Sequence, residues 1–179
     1  MSARVALVPE SALLLAGDEV AVGLSVGPGA SLEVVETSGT VAYDMRGGNA
    51  SWNVDISLGA GASLVWQSQP FVVSSGADVQ RVTRARLAPG ARLLMRETVV
   101  LGRHGERPGR LVSHLDAGVL VEELDSEVLP CRVLDTILAV GYPPSPGAME
   151  LHSGDHLYRA LVDETHRSAL GNTWAALAG

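Results

Sequence analysis

The chain contains no lysine, one cysteine, one phenylalanine and only 4% aromatic residues. Each shortage excludes something. A lone cysteine, Cys131, forbids an internal disulfide and fits a reducing compartment. Lying between Pro130 and Arg132, it reads as a small hydrophobe rather than a reactive thiol. With so few aromatics, the core has to be filled by Val, Leu and Ala. All 13 basic residues are arginine, and the net charge of −7 excludes nucleic acid as a partner, because phosphate binding needs a basic face. No apolar run approaches the roughly 20 residues that cross a bilayer; Ser11 to Ala16 is far too short. Met1 to Pro9 lacks the basic start and long apolar stretch of a secretory signal. A soluble, cytoplasmic protein is expected, without membrane contact. No Gly-x-Ser-x-Gly, phosphate loop or zinc spacing is present.

What is abundant is turn chemistry. Gly 20 and Pro 9 among 179 residues, with 46% apolar, suggest short strands around one core. One domain, 1–179, is expected, with β repeats over 1–150 and a helical segment over 151–179. Three segments align without gaps: Val26-Gly-Pro-Gly-Ala-Ser-Leu32, Leu58-Gly-Ala-Gly-Ala-Ser-Leu64 and Leu87-Ala-Pro-Gly-Ala-Arg-Leu93. Pro28 and Pro89 preset φ at the second position of a tight turn. Gly29, Gly61 and Gly90 follow where a type II turn requires φ > 0. Alternating apolar residues precede the turns (Val20, Val22, Leu24, Val26; then Trp52, Val54, Ile56, Leu58), which is the period of a half-buried strand. The glycines lie 32 and 29 residues apart, which favours stacked copies over three unrelated hairpins. A degenerate fourth unit is expected from Leu111 through Gly118 to Leu124.

The remainder is less regular. Asp125 to Val140 suits a strand pair or a short helix. Gly141 to Gly147 is a proline-rich loop. From Ser153 or Asp155 a helix is predicted up to Leu170, with Leu157, Leu161 and Val162 as its apolar stripe, and Gly171-Asn172 ends it. Thr173 to Leu177 then forms a last turn carrying Trp174. Leu157, Leu161 and Trp174 are the candidate partner-binding residues, and the same helix could cap the open end of a β stack.

Several runs together resemble the UreD (UreH) family of urease accessory proteins. They are Val26 to Leu32, Thr40-Val-Ala-Tyr43, the Trp66-Gln-Ser-Gln-Pro70 strand, Leu87 to Leu93 with Glu97, Leu101-Gly-Arg103 and Gly109-Arg-Leu111. The likeness extends from about Gly17 to Leu111 and more loosely beyond. It implies a β-helical, two-layered all-β fold with one or two C-terminal helices. It also implies a non-catalytic scaffold that binds urease apoprotein and accessory proteins, including a GTPase, so that nickel reaches urease through an internal tunnel. No tightly bound cofactor is implied; nickel is in transit. The chain departs from the family in three places. It begins close to Gly17-Asp18 where members carry several more strands, so it is expected to be a short form. Val41 stands where Lys is usual, and Phe71 to Gly76 lacks a second proline.

The repeat register adds a proposal of its own. Leu93, Met95, Glu97, Val99 and Leu101 share one strand face, so Glu97 is expected to point into the core. Seven residues beyond the turn glycines stand Glu36, Ser68 and Glu97, a polar column if the units stack. A buried carboxylate must be paired, protonated or metal-bound. Either an arginine holds Glu97 (Arg84, Arg86 and Arg96 are candidates) and Glu36 faces solvent, or Glu36 and Glu97, with Ser68, pass a divalent cation that oxygen ligands bind weakly. His152 and His156, at i and i+4, have no third ligand nearby and read as a solvated pair. Two alternatives to the accessory role stay open: a metal-dependent β-helical or cupin-like enzyme using Glu36 and Glu97, and a plain β-structural binding module.

Overall fold

A computed structural model describes all of residues 1–179. Strands β1 (Ser2–Leu7), β2 (Glu19–Val26), β3 (Ser31–Glu36), β4 (Thr40–Ala42), β5 (Ala50–Leu58), β6 (Ser63–Gln67) and β7 (Phe71–Val73) come first. They are followed by β8 (Asp78–Leu87), β9 (Arg92–Leu101), β10 (Arg110–Asp116), β11 (Val121–Asp125), β12 (Val133–Val140), β13 (Met149–Glu150) and β14 (His156–Val162), and one α-helix, α1 (Leu170–Ala178), ends the chain. The strands form two sheets. A 9-stranded sheet runs β1-β3-β6-β9-β12-β14-β13, with β4 and β7 alongside, and a 5-stranded sheet runs β11-β10-β8-β5-β2.

The repeated turns build this arrangement directly. Ala30, Ala62 and Ala91 each donate their N–H to the carbonyl three residues back, at 3.1, 3.0 and 3.0 Å. Gly29, Gly61 and Gly90 take φ of 66°, 64° and 73°, as a type II turn demands. Each turn carries the chain from the 5-stranded sheet to the 9-stranded one, and successive units stack in parallel: β2 on β5 on β8, and β3 on β6 on β9. The turns themselves are laddered, Gly29 N–H to Ala60 O at 2.9 Å and Gly61 N–H to Pro89 O at 3.2 Å. The all-β, β-helix-like expectation is met. The main core, lined by Val54, Ile56, Leu58, Leu64 and Leu93, fills the space between the sheets.

Three local expectations are corrected. The fourth turn is a hairpin: β11 pairs antiparallel with β10 in the same sheet, and Asp116 Oδ1 accepts from Gly118 N–H at 3.0 Å. Here Ala117 N–H bonds to Leu120 O, and the chain folds back on itself. Asp125 to Val140 is a 3₁₀ turn, Ser126–Val128, followed by strand β12. The helix expected from Ser153 to Leu170 is instead strand β14, antiparallel to β12. Leu157 and Leu161 fit a period of 2 as well as one of 3.6, and pairing with β12 decided between them. The helix begins at Leu170 and continues through Gly171-Asn172, laying Leu170, Trp174 and Leu177 on Leu94, Ile137 and Tyr158 in a second, smaller core.

Away from the turns, the loops 43–49, 74–77 and 102–109 stack on one another. Met45 N–H donates to Gly76 O, and Gly109 N–H to Val73 O. Glu106 closes the Leu101-Gly-Arg103 loop by accepting from Arg103 Nε at 2.9 Å and Arg103 N–H at 3.0 Å. The Arg103 guanidinium, the Arg103 N–H and the Ser75 N–H push the Glu106 carboxyl down to about 2. A depressed carboxyl contributes stability above its ordinary value and loses it as pH falls through the folded value. The gap in urea midpoint between the natural protein and Glu106→Gln should therefore be full above pH 4.5 and vanish near pH 2.

Candidate functional site

The stacking register decides what meets in the interior. Val35 pairs with Gln67 and Gln67 with Arg96, so one step further on Glu36, Ser68 and Glu97 come into line. These three residues share one small cavity with Arg81, Trp52 and Trp66, and its volume of about 10 Å³ is room for about one water molecule.

Glu36, at the end of β3, is half-buried rather than turned to solvent. Its Oε1 accepts from Trp66 Nε1 at 3.0 Å and its Oε2 from Gln69 N–H at 2.8 Å. Burial pushes its carboxyl above the ordinary range, against the opposing pull of the Gln69, Trp66 and Ser68 hydrogen bonds and the Arg81 charge. Ser68 N–H donates to Arg96 O at 2.9 Å, which extends the β6–β9 ladder past the end of β6.

Glu97 projects from β9 toward the opposite sheet, where Arg81 of β8 meets it. Arg81 Nη2 donates to Glu97 Oε1, and the Arg81 and Glu97 side chains are 6% and 21% exposed. The guanidinium also lies over the Phe71 ring at 5.1 Å, and Phe71 meets Trp52 edge-on at 5.9 Å. Two buried donors here, Arg81 Nε and Trp52 Nε1, have no partner in the protein. Beside this cavity, and sharing Glu36, Thr40 and Trp52 with it, lies an apolar cleft of about 160 Å³ lined by Leu7, Leu13, Val20 and Val22. It opens at the end of the stack where β1 and β2 are the outermost strands.

An arginine does hold Glu97, but it is none of Arg84, Arg86 and Arg96. Arg84 and Arg86 are exposed residues of β8, and Arg96, on the other face of β9, binds Asp135. A period of 2 counted back along β8 from the third turn would have found Arg81, since Val79, Arg81, Thr83 and Ala85 are the buried face.

That second polar cluster escaped sequence reasoning entirely. Asp135, 1% exposed, accepts from Arg96 Nε at 3.1 Å and Nη2 at 2.8 Å, from Thr98 Oγ1 at 3.1 Å and from Ser168 Oγ at 2.5 Å. Ser168 Oγ in turn accepts from the N–H of Leu170, the first residue of α1, at 3.2 Å. The cluster thereby fastens the helix to the 9-stranded sheet.

The candidate partner residues separate. Leu157 and Trp174 are 6% and 8% exposed and belong to the two cores, so their surfaces are already covered, whereas Leu161 is 48% exposed. The histidines separate too: His152 is exposed in a loop and His156 is buried in β14. No group of three or more His, Cys, Asp or Glu converges in the fold, and no helix is long and apolar enough to cross a membrane.

A model of the family described as UreD urease accessory protein matches residues 2–120. Urease accessory protein UreD 1 of Streptomyces griseus is 46% identical over 159 residues, covering 80% of this chain and 62% of that protein. Urease accessory protein UreD of Streptomyces avermitilis is 37% identical over 149 residues, with 83% and 55% covered. That of Frankia casuarinae is 36% identical over 166 residues, with 90% and 52% covered. The chain thus spans about half the length of the curated relatives it matches.

Proposed function

The chain belongs to the UreD family of urease accessory proteins, and from that premise we propose that it serves urease maturation in the cytoplasm as a non-catalytic scaffold. It works in a complex with urease apoprotein and other accessory proteins, including a GTPase. Its contribution is to let nickel pass toward urease without retaining it. Of the three candidate partner residues, Leu161 on β14 is the one left exposed to meet a partner.

The observation that carries the finer part of this reading is the single cavity shared by Glu36, Ser68 and Glu97. Two carboxylates and a hydroxyl attract a divalent cation through oxygen ligands, which hold a borderline ion less firmly than His or Cys would. With Glu97 already engaged by Arg81, the cavity carries little surplus negative charge, which suits passage and not storage.

Glu97→Gln keeps the size and removes the charge. In cells making urease with this chain as their UreD, it should lower urease activity per urease protein at least about fivefold, a loss on the order of 1 kcal/mol of effective coupling. Arg81 loses its counter-ion, so the urea midpoint should fall, while circular dichroism in buffer and co-purification with urease should be unchanged. Full activation by a folded Glu97→Gln protein would sink the proposed path.

A further inference from the structure

We propose that Arg81 is a latch on the polar column: its guanidinium fills the place between Glu36 and Glu97 that a divalent cation would take, and must swing aside before one can enter. The physiological meaning rests on the transit reading above; the latch itself rests on geometry.

Four features support it. Arg81 projects from the sheet opposite Glu36 and Glu97, and so reaches across the interior to them. It is 6% exposed, a depth at which a charged side chain needs a counter-ion, and Glu97 supplies one. Its hold is incomplete, because Arg81 Nε is buried without a hydrogen-bond partner beside the equally unpartnered Trp52 Nε1.

There is also somewhere for it to go. Glu36 lies where the small cavity meets the 160 Å³ cleft, and it feels the Arg81 charge. A swing of the guanidinium from Glu97 toward Glu36 exchanges one carboxylate for another, so the arginine keeps a counter-ion while the Glu97 carboxylate is left open. It frees Glu97 and Ser68 to face an incoming ion. Charge decides which species is excluded in the closed position. At an effective dielectric constant of about 20, a divalent ion beside a guanidinium about 5 Å away is opposed strongly enough to weaken binding more than tenfold. The latch therefore keeps Ni²⁺ and similar ions from settling in the isolated protein.

The test uses the purified full chain with Ni²⁺ as the probe, binding being followed by equilibrium dialysis. Arg81→Met retains the stem and removes the charge; it should bind one Ni²⁺ at least about tenfold more tightly than the natural protein. Arg81→Lys keeps the charge and should not gain the site. Glu97→Gln added to Arg81→Met should abolish the gain. A folded Arg81→Met with the natural protein's affinity would overturn the latch, as would an equal gain in Arg81→Lys. Should Arg81→Met fail to fold by circular dichroism, Arg81→Gln, which can still hydrogen-bond Glu97, takes its place with the same expectations. The two readings fail separately. A metal gain in Arg81→Met alongside full activation by Glu97→Gln leaves the latch and removes the transit path. Loss of activation in Glu97→Gln without any metal gain does the reverse.

Discussion

Asp135→Ala should destabilise the fold by about 3–5 kcal/mol, the range for removing one partner of a buried ion pair. The carboxylate is 1% exposed and accepts four hydrogen bonds, two of them from Arg96. Without it, Arg96 keeps its charge under a side chain 14% exposed, and Thr98 and Ser168 lose their acceptor. Ser168 also bonds the first residue of α1, so the helix should loosen first, uncovering Leu94, Ile137 and Tyr158. Urea unfolding followed by circular dichroism measures the loss. A joint replacement, Arg96→Met with Asp135→Leu, should recover a large part of it, since a buried pair can often be exchanged for apolar residues at little cost. An Asp135→Ala protein within about 1 kcal/mol of the natural one, the size of one ordinary hydrogen bond, would show that the cluster is not needed.

Gly109→Ala should cost about 3 kcal/mol, at the upper end of what one added methyl does in a packed site. A Cβ on Gly109 would stand 2.3 Å from Ser74 O and 2.9 Å from Ala77 O. Both are backbone atoms of the turn between β7 and β8, so neither can rotate away. Gly109 N–H meanwhile donates to Val73 O at 3.3 Å, and Gly102 N–H to the same carbonyl at 2.7 Å. Two residues of the family-like Leu-Gly-Arg and Gly-Arg-Leu runs thus converge on one point, where the chain returns from β9 to β10. Gly118→Ala is the control. Its φ is 74° but a Cβ there meets nothing within 4 Å, so only left-handed strain of about 1–2 kcal/mol applies. If the two substitutions cost the same, the close approach at Gly109 is not what requires glycine.

The residues that could be read in advance share one property: their structural role is settled within a few positions along the chain. Gly29, Gly61 and Gly90 announce φ > 0 through the Pro or Ala before them, and all three adopt it. The period of 2 after each turn placed Glu97 inward, and equal counts from the turns aligned Glu36 with Ser68 and Glu97. The stretch from Ser153 to Leu170 shows the limit of that method. Its apolar residues satisfy a helix and a strand alike, and only the free edge of β12 made it a strand. Gly118 announced a turn correctly, yet not the sheet to which the chain would return.

The amino-acid order by itself determined the repeat, its turn geometry, the inward face of the strands flanking each turn and the alignment of Glu36, Ser68 and Glu97, because steric limits on φ and the strand period act locally. Only the tertiary structure decided that Arg81, and not Arg84, Arg86 or Arg96, answers Glu97, and that Asp135 anchors the terminal helix through Arg96 and Ser168. The first pairing depends on which strand of one sheet faces which strand of the other, the second on β12 lying beside β9 in the same sheet. Distance across a core is not written in spacing along the chain.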